Sequence, residues 1–440
     1  MEQFDTLIHA GWIIPVEPDD KVLDAHSIAI RDGNIVEILP SSEAHERYRA
    51  EATHDLPTHA LIPGLINTHT HAAMSLMRGL ADDLPLMEWL NDHIWPAESK
   101  WVDATFVREG TQLAIAEMLR GGTTCFSDMY FFPDEVGRVA DHAGMRAVVG
   151  LIVIDFPTVW AKDADEYLHK GLEVHDHFRD NPLITTAFAP HAPYTVSDAP
   201  LEKISMYAEE LDIPIHMHLH ETAHEVENSA DGRRPIERLE ELGLISPRLL
   251  AVHMTQLSED EIETVERYGG QVLHCPESNL KLASGFCPVD RLMQAGINVA
   301  LGTDGAASNN DLNMFGEMRT AALLAKAVSG DASALPASAA LRMATLNGAQ
   351  ALGIDDVTGS LVAGKAADIV AVDLGGLESQ PIYNPVSQLV YATGRHQVSD
   401  VWVAGRHLLK SRELTTLDEQ TIHEQTLAWR DRISSTDDAS

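Results

Sequence analysis

The chain has 440 residues, 45% of them hydrophobic, enough for one large core with a smaller companion and an argument against wholesale disorder. Its 31 basic and 67 acidic residues leave a formal charge of −36, which repels phosphate backbones and anionic lipid, so neither nucleic acid nor a membrane surface is an expected partner. The three cysteines, Cys125, Cys275 and Cys287, are too widely spaced for a disulfide framework or a thiolate cluster, and point to the reducing cytoplasm.

The opening segment, MEQFDTLIHAGWIIP, has no basic flank, no long apolar stretch and no small-residue cleavage site, so it is expected to be mature protein. No run approaches the ~18 apolar residues of a membrane span. Residues 1–62 read as short strands broken by turns, with a hairpin signal at Asp32-Gly33 between two alternating apolar segments. The same texture returns in GSLVAGKAADIVAVD and VSDVWVAGRHLL, within residues 356–410. Neither piece alone can bury both faces of a sheet. One small β-sandwich domain built from both chain ends is therefore expected, enclosing residues 63–355.

In that central part apolar strands alternate with helical stretches. The expected strands are Leu65–His69, Thr123–Asp128, Arg146–Leu151, Ile184–Ala189, Ile215–His218, Leu249–His253, Gln271–His274 and Asn298–Thr303. Between them, segments such as FVREGTQLAIAEMLRGG and EDEIETVERYGG carry apolar residues at three- and four-residue spacing, as helices packed on a sheet require. Eight such units fit a closed (β/α)₈ barrel, in the α/β class, whose C-terminal strand ends converge on one mouth. A doubly wound sheet is the alternative; it is disfavoured because no GxGxxG follows the first strand and because polar chemistry closes at least five strands. Residues 411–440 read as a surface helix, EQTIHEQTLAWRDRI, and a polar tail.

The candidate chemistry lies at those strand ends. His69 and His71, one residue apart in NTHTH, leave the first strand on the same side and can hold one ion. The HLHET run adds further histidines, and alternation lets His216, His218 and His220 share a face, so spacing does not choose among them. Asp304 follows the eighth strand in TDGAASNN, a segment that also holds Ser308. Three imidazoles and a carboxylate suit one divalent ion, Zn²⁺ first, with Fe²⁺ and Ni²⁺ as alternatives, and leave a position for water. Glu221, at the start of the loop after the fifth strand, is placed to shuttle protons. His253 ends the apolar run LLAVH, where it can hold the attacking water or polarise a leaving group.

These motifs resemble the amidohydrolase superfamily, and within it the group of 5′-methylthioadenosine/S-adenosylhomocysteine deaminases. PGLINTHTH resembles that family's first-strand motif, while HLHET, LAVH and LGTDGAASNN resemble the ends of strands five, six and eight. The resemblance implies metal ligation by His69, His71, His218 and Asp304, with His216 and His220 left to structural roles, His216 deep in the barrel and His220 near the rim. It also implies proton transfer by Glu221 with Asp304, and a contact from His253 to the water or transition state. MSLMRGLADDLPLMEWL followed by IWPAE resembles the loop that covers a nucleoside, with Trp89 lining the pocket and Glu98 on the ribose hydroxyls. APHAPYTVS resembles the strand-four segment whose histidine, here His191, contacts the nucleoside; this segment has no lysine to bridge two ions, so one metal is implied. Ser308 and Asp304 complete the implied substrate contacts.

One departure stands out. Many members of the group carry an arginine after the third strand, where this chain reads LIVIDFPTVW. An apolar loop there suits a methylthio group better than a charged homocysteine tail. The implied reaction is deamination at C6 of 5′-methylthioadenosine, extending to S-adenosylhomocysteine and adenosine, without an organic cofactor. Deamination of guanine, cytosine or a pterin, dechlorination of a triazine, and a non-catalytic ligand-binding role are the competing readings. A symmetric homo-oligomer, dimer or tetramer, is expected because such assemblies predominate among soluble oligomers.

Overall fold

The computed structural model describes residues 2–19, 21–229 and 232–435. Two eight-stranded sheets organise it. The first draws on both chain ends: β1 (Glu2–Ile13), β2 (Leu23–Arg31), β3 (Asn34–Pro40) and β4 (Tyr48–Pro63) precede the barrel. The second sheet follows, with β5 (Leu65–Thr70), β6 (Thr123–Tyr130), β7 (Arg146–Val153), β8 (Ile184–Pro190), β9 (Ile215–Leu219), β10 (Leu249–His253), β11 (Gln271–His274) and β12 (Val299–Leu301). Then β13 (Ile369–Asp373), β14 (Val398–Val403), β15 (Arg406–Lys410) and β16 (Glu413–Leu414) complete the first.

The order β16-β15-β14-β13-β4-β1-β2-β3 joins the two chain ends where β13 pairs antiparallel with β4. The faces of the expected sandwich are thus parts of one continuous mixed sheet. Its inner face closes on a core that includes Ile8, Ile28, Ile30, Leu61, Ile369 and Trp402. The turn at Asp32 and Gly33 takes φ of 50° and 77°, the left-handed pair that a two-residue hairpin needs, and Ala404-Gly405 does the same between β14 and β15. No helix among the described residues is long and apolar enough to cross a membrane.

Strands β5 to β12 run parallel in chain order, each buried along most of its length, as a sheet covered on both faces demands. The ring closes between β12 and β5. There the Asp304 N–H donates to His69 O at 3.0 Å and Thr68 Oγ1 donates to Leu301 O at 2.8 Å. Gly302 makes this approach feasible, because a Cβ on it would lie 2.8 Å from His69 N. β12 is shorter than expected because the Asn67 side chain replaces ladder bonds there: it accepts from Thr303 N at 2.9 Å and meets Thr303 Oγ1 at 2.7 Å.

Below the barrel a buried ion pair ties the two sheets together. Arg146, the first residue of β7, donates from Nε and Nη2 to both oxygens of Asp368 at 3.0 and 3.3 Å. The helix Glu419–Ser434 does more than lie on the surface. Its Trp429 is buried against Phe106 and donates to Glu109 Oε2 at 2.6 Å, which docks the helix on Ala104–Arg120. Residues 436–440 of the expected polar tail lie outside the described residues.

Candidate metal centre and substrate cavity

The mouth of the barrel gathers what the sequence scatters. His69 and His71 come from the end of β5, His218 from β9, and Asp304 from just past β12. His69 Nε2 lies 3.2 Å from His218 Nε2 and 3.4 Å from Asp304 Oδ1, and His71 Nε2 lies 3.3 Å from that same oxygen. A tetrahedron with ligand bonds of about 2.0–2.1 Å has edges of about 3.3 Å, so these donors fit one zinc-sized ion.

The tautomers agree. His71 Nδ1–H donates to Met129 O at 2.6 Å and His218 Nδ1–H donates to His191 O at 2.7 Å, which turns both Nε2 atoms into the cluster. His69 Nδ1 meets His216 Nε2 at 2.9 Å, and His216 Nδ1 meets Ser127 Oγ at 3.2 Å. With each Nδ1 as donor, His69 joins the same pattern. His216 lies deep in the barrel as expected, and it orients a neighbour's ring. Two bare lone pairs 3.2 Å apart repel unless they share a cation.

Electrostatics point the same way. Burial works against charge on Asp304, yet the His69 and His71 contacts hold its carboxyl well below the usual range. Burial also opposes a proton on His71, but Asp304 outweighs it and lifts the ring to about 9, so this carboxylate draws positive charge to itself. Burial pushes His69 down to about 4. Asp304 Oδ1 further accepts from Gly305 N at 2.7 Å, and Oδ2 from Ser278 Oγ at 2.7 Å; Ser278 Oγ in turn sits 3.1 Å from Ser308 Oγ.

His253 Nδ1–H donates to Asn279 Oδ1 at 2.8 Å, turning Nε2 toward the site, 3.8 Å from Glu221 Oε2. Burial raises the Glu221 carboxyl above its ordinary value, so it holds a proton more readily than an exposed glutamate. Three residues here sit in the left-handed region: His220 at φ 53°, His253 at 76° and Asp304 at 64°. Non-glycine residues in that region mark places where the surrounding structure over-determines the backbone. His220 directly follows β9 at the strand end, as a position near the rim requires, but its ring is fully buried, 3.7 Å from Glu261.

A cavity of about 400 Å³ opens over the cluster. One pole is polar, with His71, His191, His218, Glu221, His253, Asp304 and Ser308. His191 is half-buried beside His218, with its Nδ1 3.0 Å from Thr195 Oγ1, and desolvation lowers it to about 3, so it is neutral. The rest of the wall is mainly apolar, from Leu86, Trp89, Ile94 and Trp95 in one segment and Ile152, Ile154, Phe156 and Val159 in another, with Ser99, Tyr130, Thr158 and Tyr194 interspersed. Trp89 is anchored by its Nε1–H to Ala81 O at 3.1 Å. One carboxylate stands by this wall: Glu98, which accepts from Tyr130 Oη at 2.7 Å and which burial lifts to about 7. No lysine or arginine among the described residues lines the cavity.

Every site residue read from the sequence thus meets this cavity or its floor. Ser278, Asn279, Tyr130 and Ser127 were not read; the first two follow β11 in HCPESN, where polar residues at the seventh strand end were the available signal.

Residues 60–408 match the model described as the amidohydrolase family. A protein of Saccharophagus degradans called 5-methylthioadenosine/S-adenosylhomocysteine deaminase is 53% identical, over 98% of this chain and 97% of its own length. A zinc-bound crystal structure of an adenosine deaminase from Xanthomonas campestris superposes with a TM-score of 0.97 at 55% identity, covering 99% of both chains. The atrazine chlorohydrolase of Arthrobacter aurescens shares the fold, with a TM-score of 0.89 at 24% identity over 96% of this chain and 99% of that one.

Proposed function

The chain belongs to the amidohydrolase family and is a metal-dependent hydrolase, and on that premise we propose that it deaminates 5′-methylthioadenosine at C6. The products are 5′-methylthioinosine and ammonia. S-adenosylhomocysteine and adenosine are poorer substrates of the same site. The observation that carries this reading is one cavity joining a mononuclear donor cluster to a carboxylate, Glu98, that stands apart from the cluster in a mainly apolar wall. The 53% identity to a deaminase named for these two nucleosides supports it.

His69, His71, His218 and Asp304 would hold one Zn²⁺. Bound there, such an ion lowers the pKa of a coordinated water from 15.7 toward about 7. Glu221 takes the proton that the attacking water loses and passes it to N1, so that C6 accepts attack. His253 Nε2, freed by the Asn279 bond, accepts a hydrogen bond from the same water and fixes its approach. Asp304, steadied by Ser278, takes the second proton of the attacking water from the oxygen now bonded to C6 and hands it to the amino group, which leaves as ammonia when the C6–N bond breaks. His191 and Ser308 contact the nucleoside, Trp89 walls it, and Glu98 accepts from the ribose hydroxyls. The three cysteines are free and buried, which supports a cytoplasmic location.

The test is ammonia release from 5′-methylthioadenosine, adenosine, S-adenosylhomocysteine and guanine by the zinc-loaded protein. Turnover of the first above the others is expected. Release from guanine alone would overturn the reading.

A further inference from the structure

The loop that carries Glu221 is gripped from both sides. On its amide side, Glu225 Oε1 accepts from His220 N at 2.9 Å and Oε2 from Glu221 N at 2.8 Å. On its carbonyl side, Thr255 Oγ1 donates to Glu221 O at 2.7 Å, and Thr255 N donates to His220 O at 2.9 Å. The left-handed turn at His220 is what aims two consecutive N–H groups at one carboxylate. Glu225 reaches them from the short helix Ala223–Glu227, where Thr222 Oγ1 accepts from its own N–H at 3.3 Å.

Glu225 is buried, and burying a carboxylate is costly unless its oxygens are well paired. A loop could be capped by an exposed asparagine or a water at less expense. This one instead places a buried carboxylate on two consecutive amides, the second of them that of Glu221, whose side chain enters the cavity beside His253. We propose that Glu225 is a positioning residue for the reaction, holding the amides of His220 and Glu221 so that the Glu221 carboxyl stays in proton-transfer range of the attacked ring. The proposal rests on the role given to Glu221 above.

Glu225→Gln tests it, because the amide nitrogen would face an N–H and could not accept. With 5′-methylthioadenosine, kcat should fall by about 10- to 100-fold, the scale of an ångström-sized misplacement, while KM stays within about threefold. Zinc content should equal that of the wild type. The deciding measurement is a double-mutant cycle with Glu221→Gln. If Glu225 acts through Glu221, the double variant is no slower than E221Q alone within about threefold. Multiplication of the two single effects overturns the proposal, as does an unchanged kcat in E225Q. Should E225Q not fold, Glu225→Asp enters the same cycle; if neither yields zinc-loaded protein, Glu225 is a folding residue and the proposal fails. The cycle reads on any substrate the wild type turns over, so failure of 5′-methylthioadenosine itself sinks the functional reading and not this one.

Discussion

The two ends of the cavity are built by opposite means. At the metal pole each imidazole has its second nitrogen assigned: to Met129 O, to His191 O, to His216, to Asn279. The spacings there are hydrogen-bond spacings, and the backbone is held in conformations that side chains rarely adopt. The opposite wall is packed by shape. Its polar anchors include Trp89 to Ala81, Tyr130 to Glu98 and Thr158 to Tyr167, and Phe156 and Val159 remain 41% and 54% exposed. The difference separates reaction from selectivity. A networked pole tolerates no substitution without changing the chemistry, while an apolar wall on the short helices and loop that follow the first and third barrel strands can be reshaped to change what enters.

The largest effect should come from the pole. His218→Ala removes one corner of the tetrahedron, and metal analysis should show zinc lost together with activity while circular dichroism reports an intact barrel. Full occupancy in H218A would take His218 out of the ligand set. Next comes Glu221→Gln, which keeps shape and loses the titrating proton. Turnover of zinc-loaded enzyme should fall by about 10²-fold or more, and near-normal turnover would remove Glu221 from proton transfer.

At the wall the effects shrink and turn selective. Glu98→Ala should lower kcat/KM for 5′-methylthioadenosine by roughly 10²-fold, as the loss of two charge-assisted hydrogen bonds implies, and leave free adenine nearly unchanged. An equal loss on adenine would mean that Glu98 serves the pole. Wild-type kcat/KM should favour 5′-methylthioadenosine over S-adenosylhomocysteine by about tenfold or more, because a zwitterionic tail loses water against a wall without a cation. The reverse preference would require a basic group from another subunit.

The smallest effect is a pH dependence. Glu98 is lifted to about 7, so its neutral form persists to that pH and its accepting, ionised form gains above it. KM for nucleosides should therefore rise as pH falls from about 8 to 6, by up to about tenfold per unit below the pKa. The trend should vanish in E98A and for free adenine.

All eight barrel strands were legible because each is a short apolar run, most of them ending in a polar residue at the mouth, as in LLAVH and QVLH. His69, His71 and Asp304 were legible as candidate donors for the same reason, since NTHTH and TDG put polar groups where a buried strand stops, whereas His218 was singled out from His216 and His220 by the family resemblance alone. What was hidden depends on turns. Alternation gives no sign of the left-handed residue at His220, so its burial and the inward aim of Glu225 could not be read. Ser278 and Asn279 act on residues 26 positions away, Asp304 and His253, and such support shows only when the strand ends meet. The length of β12 was misread for a related reason, since a side chain, Asn67, stands in for ladder bonds.

The joining of β4 to β13 has a consequence for synthesis. Strand β4 is 16 residues long, and its edge at His59–Pro63 waits for Ile369–Asp373, about three hundred residues downstream. At ~5–20 residues per second the ribosome takes roughly 15–60 s to supply that partner. Throughout that interval an apolar edge, HALIP, stands open to any other strand on a crowded polysome. Expression yield of this enzyme should therefore follow translation speed and chaperone supply more closely than the stability of the finished barrel.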